Sequence, residues 1–343
     1  MKEHRASLTS FIVAFLVVLF GGNDQGRSKL PPGLVKLQIK LLYACGLLWG
    51  PESWSVLICN PLTAYLAGLI LGFVVPGMME GLAYRKTFIE RQVLLAFNDV
   101  PDCRQVLIVA AGYDTLALRM LPRDFGRSKT TKKHTATTQK GVIFLEVDHP
   151  ATARVKKRGL DALGYEYHST ENAAPPPPSP RQNQPYPNRL ETLAVDLTTT
   201  RLCDALLEYT QQPHSDFDPT QPTIVILEGL LFYLTEAQVI ALLQAITKCV
   251  GPQSRIVCDY FAPKEEEEEE DQRVQSPAVI PRMGRFTRGV LRLLHVIGEP
   301  MLWAIRPSEL SHFVQQHASE WTVKEMGGPV GLEHMAVLEK KAA

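Results

Sequence analysis

Short runs of aliphatic and β-branched residues recur along the chain and predict strands near 106–110, 142–147, 192–196, 223–227, 255–261, 321–326 and 334–339. Between most of them the apolar positions change to helical spacing, as in Thr115–Leu121, Pro150–Leu163, Thr200–Tyr209 and Thr235–Val250. Strands alternating with helices imply a mainly parallel sheet with right-handed crossovers. Only Gly327-Gly328-Pro329-Val330-Gly331 separates the last two strands, too little chain for a crossover, so these are expected to pair as an antiparallel hairpin. The pattern predicts an α/β protein with a doubly wound, seven-stranded, mainly parallel sheet that ends in an antiparallel hairpin.

Ahead of the first strand the pattern is helical and unusually apolar. Phe11–Phe20 is an unbroken apolar run behind a basic start, and Leu62–Met79 is a second, interrupted by Gly68, Gly72, Pro76 and Gly77. The first has the look of a signal peptide or short anchor, yet it is too short to span a bilayer, and small-x-small spacing is missing after it. Helices packed on the core are the preferred reading of both, with membrane contact left open. Residues 1–84 are expected to form a helical region over an acceptor site, and 85–343 the sheet domain. Polar or biased inserts break the pattern near 127–140, 171–188 and 264–276, including Pro175–Pro178 and the acidic run Glu265–Glu270; all three read as poorly ordered, solvated loops.

Charge adds an exclusion. The 343 residues hold 36 Lys+Arg and 36 Asp+Glu, so no bulk charge argues for nucleic acid. The 6 Cys show no metal spacing and read as thiols of a reducing, cytoplasmic setting.

Candidate chemistry sits at the strand ends. Val106–Val109 runs into Ala110-Ala111-Gly112-Tyr113-Asp114-Thr115, a small-residue turn that lets backbone approach a ligand, with a helix start behind it. A second apolar strand ends at Glu146-Val147-Asp148. Strand, small-residue turn, helix, strand and acid is how a doubly wound sheet holds a nucleoside, the acid taking the ribose hydroxyls. Asp114 serves equally as a helix cap, and Glu146 shares a face with Asp148 as its fallback.

Taken together, the turn 111–115, Glu146-Val147-Asp148-His149-Pro150, Asp196-Leu197, Glu228–Leu234 and Arg85 within Tyr84–Ile89 resemble, in order, the leucine carboxyl methyltransferase family. Ala6–Thr9, Asn60–Leu62 and Gly298–Pro300 are similar to stretches of its bacterial branch. The resemblance implies a Rossmann-like fold in its methyltransferase form and S-adenosyl-L-methionine as cofactor. It also places Phe11–Phe20 on a helix of a soluble enzyme. By the same resemblance Arg85 would meet the methionine carboxylate, Ala110 and Gly112 would line the cofactor turn, and Asp148 would take the ribose. Asp196 and Leu197 would hold the adenine, and Glu228 the ammonium group. A buried carboxylate such as Glu228 would be costly without a cationic partner, which favours this role. Tyr233 is the candidate on the acceptor side, with Tyr260-Phe261 near it, while His149 before Pro150 reads as local structure.

The implied reaction is O-methyl transfer to a carboxylate of a small molecule or a protein C-terminus, a nucleophile already ionised at neutral pH. It needs alignment and water exclusion rather than a dedicated base. Two departures from the family pattern stand out, Ala110 where glycine is usual and Leu116 where arginine is common. Alanine is tolerated there at a non-positive φ. A catalytically degenerate cofactor-binding member and, less well supported, a nicotinamide oxidoreductase are the alternatives.

Overall fold

The computed structural model describes residues 7–50, 59–74, 77–123, 141–169, 188–213, 215–262, 300–330 and 333–342. The three biased inserts expected to be loops lie largely outside them. The strands are β1 (Gln105–Val109), β2 (Ile143–Asp148), β3 (His168–Ser169), β4 (Arg189–Ala194), β5 (Thr223–Leu227), β6 (Arg255–Phe261), β7 (Trp321–Val330) and β8 (Glu333–Lys340). They form one sheet in the order β3-β4-β2-β1-β5-β6-β8-β7.

All pairs through β6 are parallel, and β8 pairs antiparallel with both β6 and β7, as the short connection requires. The strand count corrects the expectation of seven. β3 is a two-residue edge strand, pairing His168 with Glu191 and Ser169 with Thr192, and two residues are too few to show a period. β4 also starts three residues earlier than the apolar pattern indicated, because Arg189 and Glu191 belong to it.

Each strand sends alternate side chains to opposite faces. Val106, Ile108, Phe144, Ile224, Val257 and Val337 face one layer, built on helix α5 (Met78–Asp99) with α1 (Leu8–Phe20) and α3 (Leu34–Ala44). Leu107, Val109, Leu145, Val225, Cys258 and Leu338 face the other, built on α8 (Leu202–Thr210), α9 (Glu236–Cys249) and α10 (Pro307–His317). Two short helices, α2 (Asp24–Lys29) and α6 (Leu116–Met120), and α7 (Pro150–Ala162) complete the described helices together with α4 (Pro61–Val74). Ala14, Val18, Leu41 and Leu42 share one core with sheet residues, and α5 runs straight through residue 84. The helical N-terminal region is thus built into the sheet domain rather than standing beside it.

Helix caps fix the entry to several helices. Ser7 caps α1 by accepting from the Ser10 N–H at 3.1 Å, and its own N–H donates to Thr152 Oγ1 of α7 at 3.1 Å. Thr235 and Gln238 close a capping box at the start of α9. His149 caps α7 through Nδ1, which accepts from the Ala151 N–H at 3.2 Å ahead of Pro150, the structural role expected for it.

The two apolar N-terminal runs behave differently. α1 buries Ala14, Leu16, Val17 and Val18. Among the described side chains of α4, Ala64 is buried while Leu62, Tyr65, Leu66 and Leu69 are exposed, so core packing is met along α1 but not along this stretch of the second run, whose last residue, Met79, is buried.

One buried acid tests the packing of the opposite layer. Glu191 is fully buried, its Oε2 accepts from Tyr209 Oη at 2.6 Å, and burial pushes its carboxyl up to about 7. The folded state therefore keeps a proton that the unfolded chain releases near the ordinary glutamate value, and stability falls as pH rises through that window. Glu191→Gln is expected to remove this slope and to stabilise the protein at pH 8 by up to about 3 kcal/mol, with little effect at pH 4. Denaturant titrations at the two pH values check it, and parallel curves for both proteins would refute it.

Candidate functional site

The strand order reverses direction between β1 and β5, the place where an open α/β sheet forms a crevice beyond its carboxyl ends. Parallel pairing of β4, β2, β1 and β5 brings Asp196, Asp148, the turn after Val109, and Glu228 to that one edge. The fold thus gathers the expected residues, and their local chemistry differs among them.

At the turn, Ala110 has φ of 56° and Gly112 of 53°. The left-handed value at Ala110 corrects the expectation of a non-positive φ; the tight exit from β1 imposes it, and a side chain there is strained. Gly112 is required for two reasons. Its φ favours glycine, and a Cβ would sit 2.7 Å from Ser10 Oγ of α1. The space left by its missing side chain is therefore filled by the N-terminal helix.

The donors at the turn are also taken. The Gly112 N–H donates to Asp148 Oδ2, and the Leu116 N–H to Asp114 Oδ1 at 2.6 Å. Asp148 Oδ1 accepts from the His149 N–H at 2.6 Å. Burial raises the Asp148 carboxyl, while these two N–H groups pull it back. Below the turn Lys156 Nζ lies 2.8 Å from Glu146 Oε2 and donates to the Asp114 carbonyl at 2.8 Å, so the fallback acid Glu146 already has a partner. A small depression beside Ala111, Gly112 and Asp148 is floored by Glu146, Lys156 and Thr192.

Asp196 lies two residues past β4, half-buried. Its Oδ1 accepts from the Thr198 N–H at 2.9 Å and hydroxyl at 2.6 Å, which hold its carboxyl below the usual range. His149 Nε2 is 3.7 Å from its other oxygen. Leu197 packs on the core beside it.

The densest chemistry surrounds Arg85 on α5. Its Nε lies 2.9 Å from Glu228 Oε1, and its Nη1 lies 3.0 Å from Asp259 Oδ2 and 2.7 Å from Glu333 Oε1. Lys86 reaches Glu228 Oε1 at 2.6 Å and pairs with Asp114. Burial alone would lower the Arg85 and Lys86 values, but the carboxylates outweigh it and raise both. Asp259 is fully buried, and its Oδ1 accepts from the Gly229 N–H at 2.7 Å. Burial, with Glu333 beside it, pushes its carboxyl up to about 7 against the pull of Arg85.

This cluster corrects the argument that singled out Glu228. The carboxylate has two cationic partners in the protein itself, so its desolvation is compensated. Lys86, Asp259 and Glu333 were missed in the sequence. Asp259 left a signal, as a lone acid inside the otherwise apolar Ile256–Phe261; Glu333, at the turn of a hairpin, left none.

Tyr233, expected on the acceptor side, ends a short 3-10 helix, Leu231–Tyr233, half-buried. The Phe232 ring lies 4.6 Å from those of Tyr233 and Phe261, centroid to centroid. Residues 300–306 lie against this group, with the N–H of Leu302 donating to the Phe232 carbonyl at 2.7 Å and that of Ile305 to the Phe261 carbonyl at 3.0 Å. Tyr260 is placed elsewhere. It alternates to the opposite face from Asp259, is buried in the second core, and stacks on His334 at 5.5 Å.

The sheet is an open, doubly wound α/β architecture with acids at or just past the carboxyl ends of β2, β4 and β5. The model of the leucine carboxyl methyltransferase family matches residues 72–247, over half of the chain, which belongs to that family. A candidate S-adenosyl-L-methionine-dependent methyltransferase of Mycobacteroides abscessus is 29% identical over 195 residues, covering 57% of this chain and 50% of that one. A similarly named protein of Mycolicibacterium smegmatis is 28% identical over 216 residues, covering 62% and 54%. The match spans about half the length of these curated relatives. Among solved structures, a DUF574 family protein from Streptomyces avermitilis has a TM-score of 0.49 at 11% identity, over 88% of this chain and 96% of that one.

Two substitutions test the geometry. Arg85→Ala leaves the fully buried Asp259 and the partly buried Glu228 and Glu333 short of a partner and is expected to cost about 3–5 kcal/mol in denaturant unfolding; a loss under 1 kcal/mol would show that the cluster does not hold α5. Ala110→Gly relieves the left-handed backbone, which outweighs the extra unfolded-chain entropy, and is expected to raise the thermal midpoint by about 1–2 °C. A lower midpoint would contradict the positive φ.

Proposed function

We propose that the carboxyl edge of the sheet holds S-adenosyl-L-methionine and that the protein is a methyltransferase acting on a carboxylate oxygen of a small molecule or a protein C-terminus. The observation that carries this reading is the charge balance around Arg85. Glu228, Asp259 and Glu333 meet Arg85 and Lys86, and Asp114 meets Lys86 with Arg119 near it, so acids still outnumber bases, which suits a ligand bearing ammonium and sulfonium charge. The family match supports it. A dinucleotide pyrophosphate fits poorly, because the Gly112 and Leu116 N–H groups that would cradle it already bond to Asp148 and Asp114.

In this reading Asp148 takes the ribose, and Asp196 with Leu197 the adenine. Glu228 takes the ammonium, and Arg85 turns part of its fork to the methionine carboxylate. Ala110 and Gly112 shape the turn beneath the ligand. Bound there, S-adenosyl-L-methionine supplies an activated methyl group. The chain's share is to align the acceptor and keep water out, tasks that fall to Phe232, Tyr233 and Phe261 and to residues 300–306 above them. Unpaired thiols at all six cysteines suit a reducing, cytoplasmic setting.

Calorimetry should show binding of S-adenosyl-L-methionine, weaker binding of the less cationic S-adenosyl-L-homocysteine at low salt, and no binding of NAD. Asp148→Ala should weaken the first by roughly tenfold or more, the size of one charged hydrogen bond. Preference for NAD would overturn the cofactor assignment; normal binding by a folded Asp148→Ala protein would overturn the placement of the site.

A further inference from the structure

The helix α4 is built the wrong way round for a water-facing helix. Over its 14 residues, Pro61–Val74, it has no charged side chain. Ala64 is 6% exposed, whereas Leu62, Tyr65, Leu66 and Leu69, at i, i+3, i+4 and i+7, are 65%, 62%, 48% and 53% exposed. The sequence places Gly68 and Gly72 at helical spacing from Ala64, on the side away from Leu62, Tyr65, Leu66 and Leu69. Helices of water-soluble proteins turn their large apolar side chains inward. Helices facing lipid do the reverse, packing small residues against neighbours and leaving leucines to the hydrocarbon. On the adjoining α1, Leu8 and Ile12 are also exposed, one turn apart.

We infer that α4 is a docking face for a phospholipid bilayer surface rich in anionic headgroups, in which it lies flat. Length excludes spanning, since 14 residues of helix reach about 21 Å against a hydrocarbon core of about 30 Å. Charge complements the apolar stripe. The chain as a whole is balanced, but residues 1–79 carry six cationic side chains (Lys2, Arg5, Arg27, Lys29, Lys36, Lys40) against three acids (Glu3, Asp24, Glu52). Arg27, Lys29 and Lys36 are exposed. Exposed leucines and a tyrosine on an uncharged helix, within a region of net positive charge, form the composition that anionic interfaces attract. A second copy of the chain is the competing occupant, and like-charged N-terminal regions would repel there. The inference does not depend on the cofactor assignment.

Co-sedimentation of the full chain with phosphatidylcholine vesicles, with and without phosphatidylglycerol, tests it. Binding is expected to the anionic vesicles, weaker binding to neutral ones, and a decrease with added salt. Leu66→Glu and Leu69→Glu should each weaken binding by roughly tenfold or more, with the thermal midpoint unchanged because the positions are exposed. Leu66→Ser, which adds no charge, should weaken it in the same direction and guards against a folding defect. Failure of the folded wild type to bind anionic vesicles would overturn the proposal, as would wild-type binding by these variants. Light scattering that shows a dimer broken by Leu66→Glu, without vesicle binding, would assign the face to a second copy instead.

Discussion

The Arg85 guanidinium is the point on which this structure turns. One side chain from α5 meets acids at the carboxyl ends of β5 and β6 and at the start of β8. A buried ion cluster is not in itself strongly stabilising, because desolvation cancels much of the attraction. Its strength is geometric. Charges removed from water tolerate few arrangements, so the cluster fixes the register of α5 against three strands and holds the crevice open at the switch point. Lys86, the next residue, extends the same constraint to Asp114 and so to the turn after β1.

A second constraint comes from above. α1 lies across the turn so closely that Ser10 occupies the space a Gly112 side chain would need, and Ser7 ties the same helix to α7 through Thr152. α1 is therefore packed directly on the turn after β1. The turn is held from below by Lys156 and from the side by Asp148, which leaves few backbone donors for a ligand and puts the weight of recognition on side-chain carboxylates.

Much of this was legible in the sequence. Nearly continuous apolar runs marked β1, β2, β5 and β6 nearly to the residue, because parallel strands buried on both faces carry few polar positions, and the short glycine-rich link made the final hairpin unavoidable. The acids at strand ends were readable for the same reason: polarity after an apolar run is conspicuous. What escaped was either too short to have a period, as with β3, or decided by tertiary contact. Arg189 and Glu191 look like loop residues until Tyr209 is placed beside the acid. The partners of Glu228 come from a helix more than a hundred residues away, and no local pattern announces them. The φ of Ala110 was misjudged because it depends on how sharply the chain must leave β1, and α4 was misjudged because apolar composition does not reveal which way a helix faces.

Glu333 lies 248 residues from the arginine it neutralises. As the chain leaves the ribosome, α5 and most of the parallel sheet emerge while this counter-charge has yet to be made. An arginine buried early would lack one of its partners, so closure of the α5 layer over β6 has reason to wait for the last hairpin. Long-range pairing of this kind slows folding and prolongs the exposure of intermediates. The Arg85 cluster is thus complete only when the last hairpin has joined the sheet.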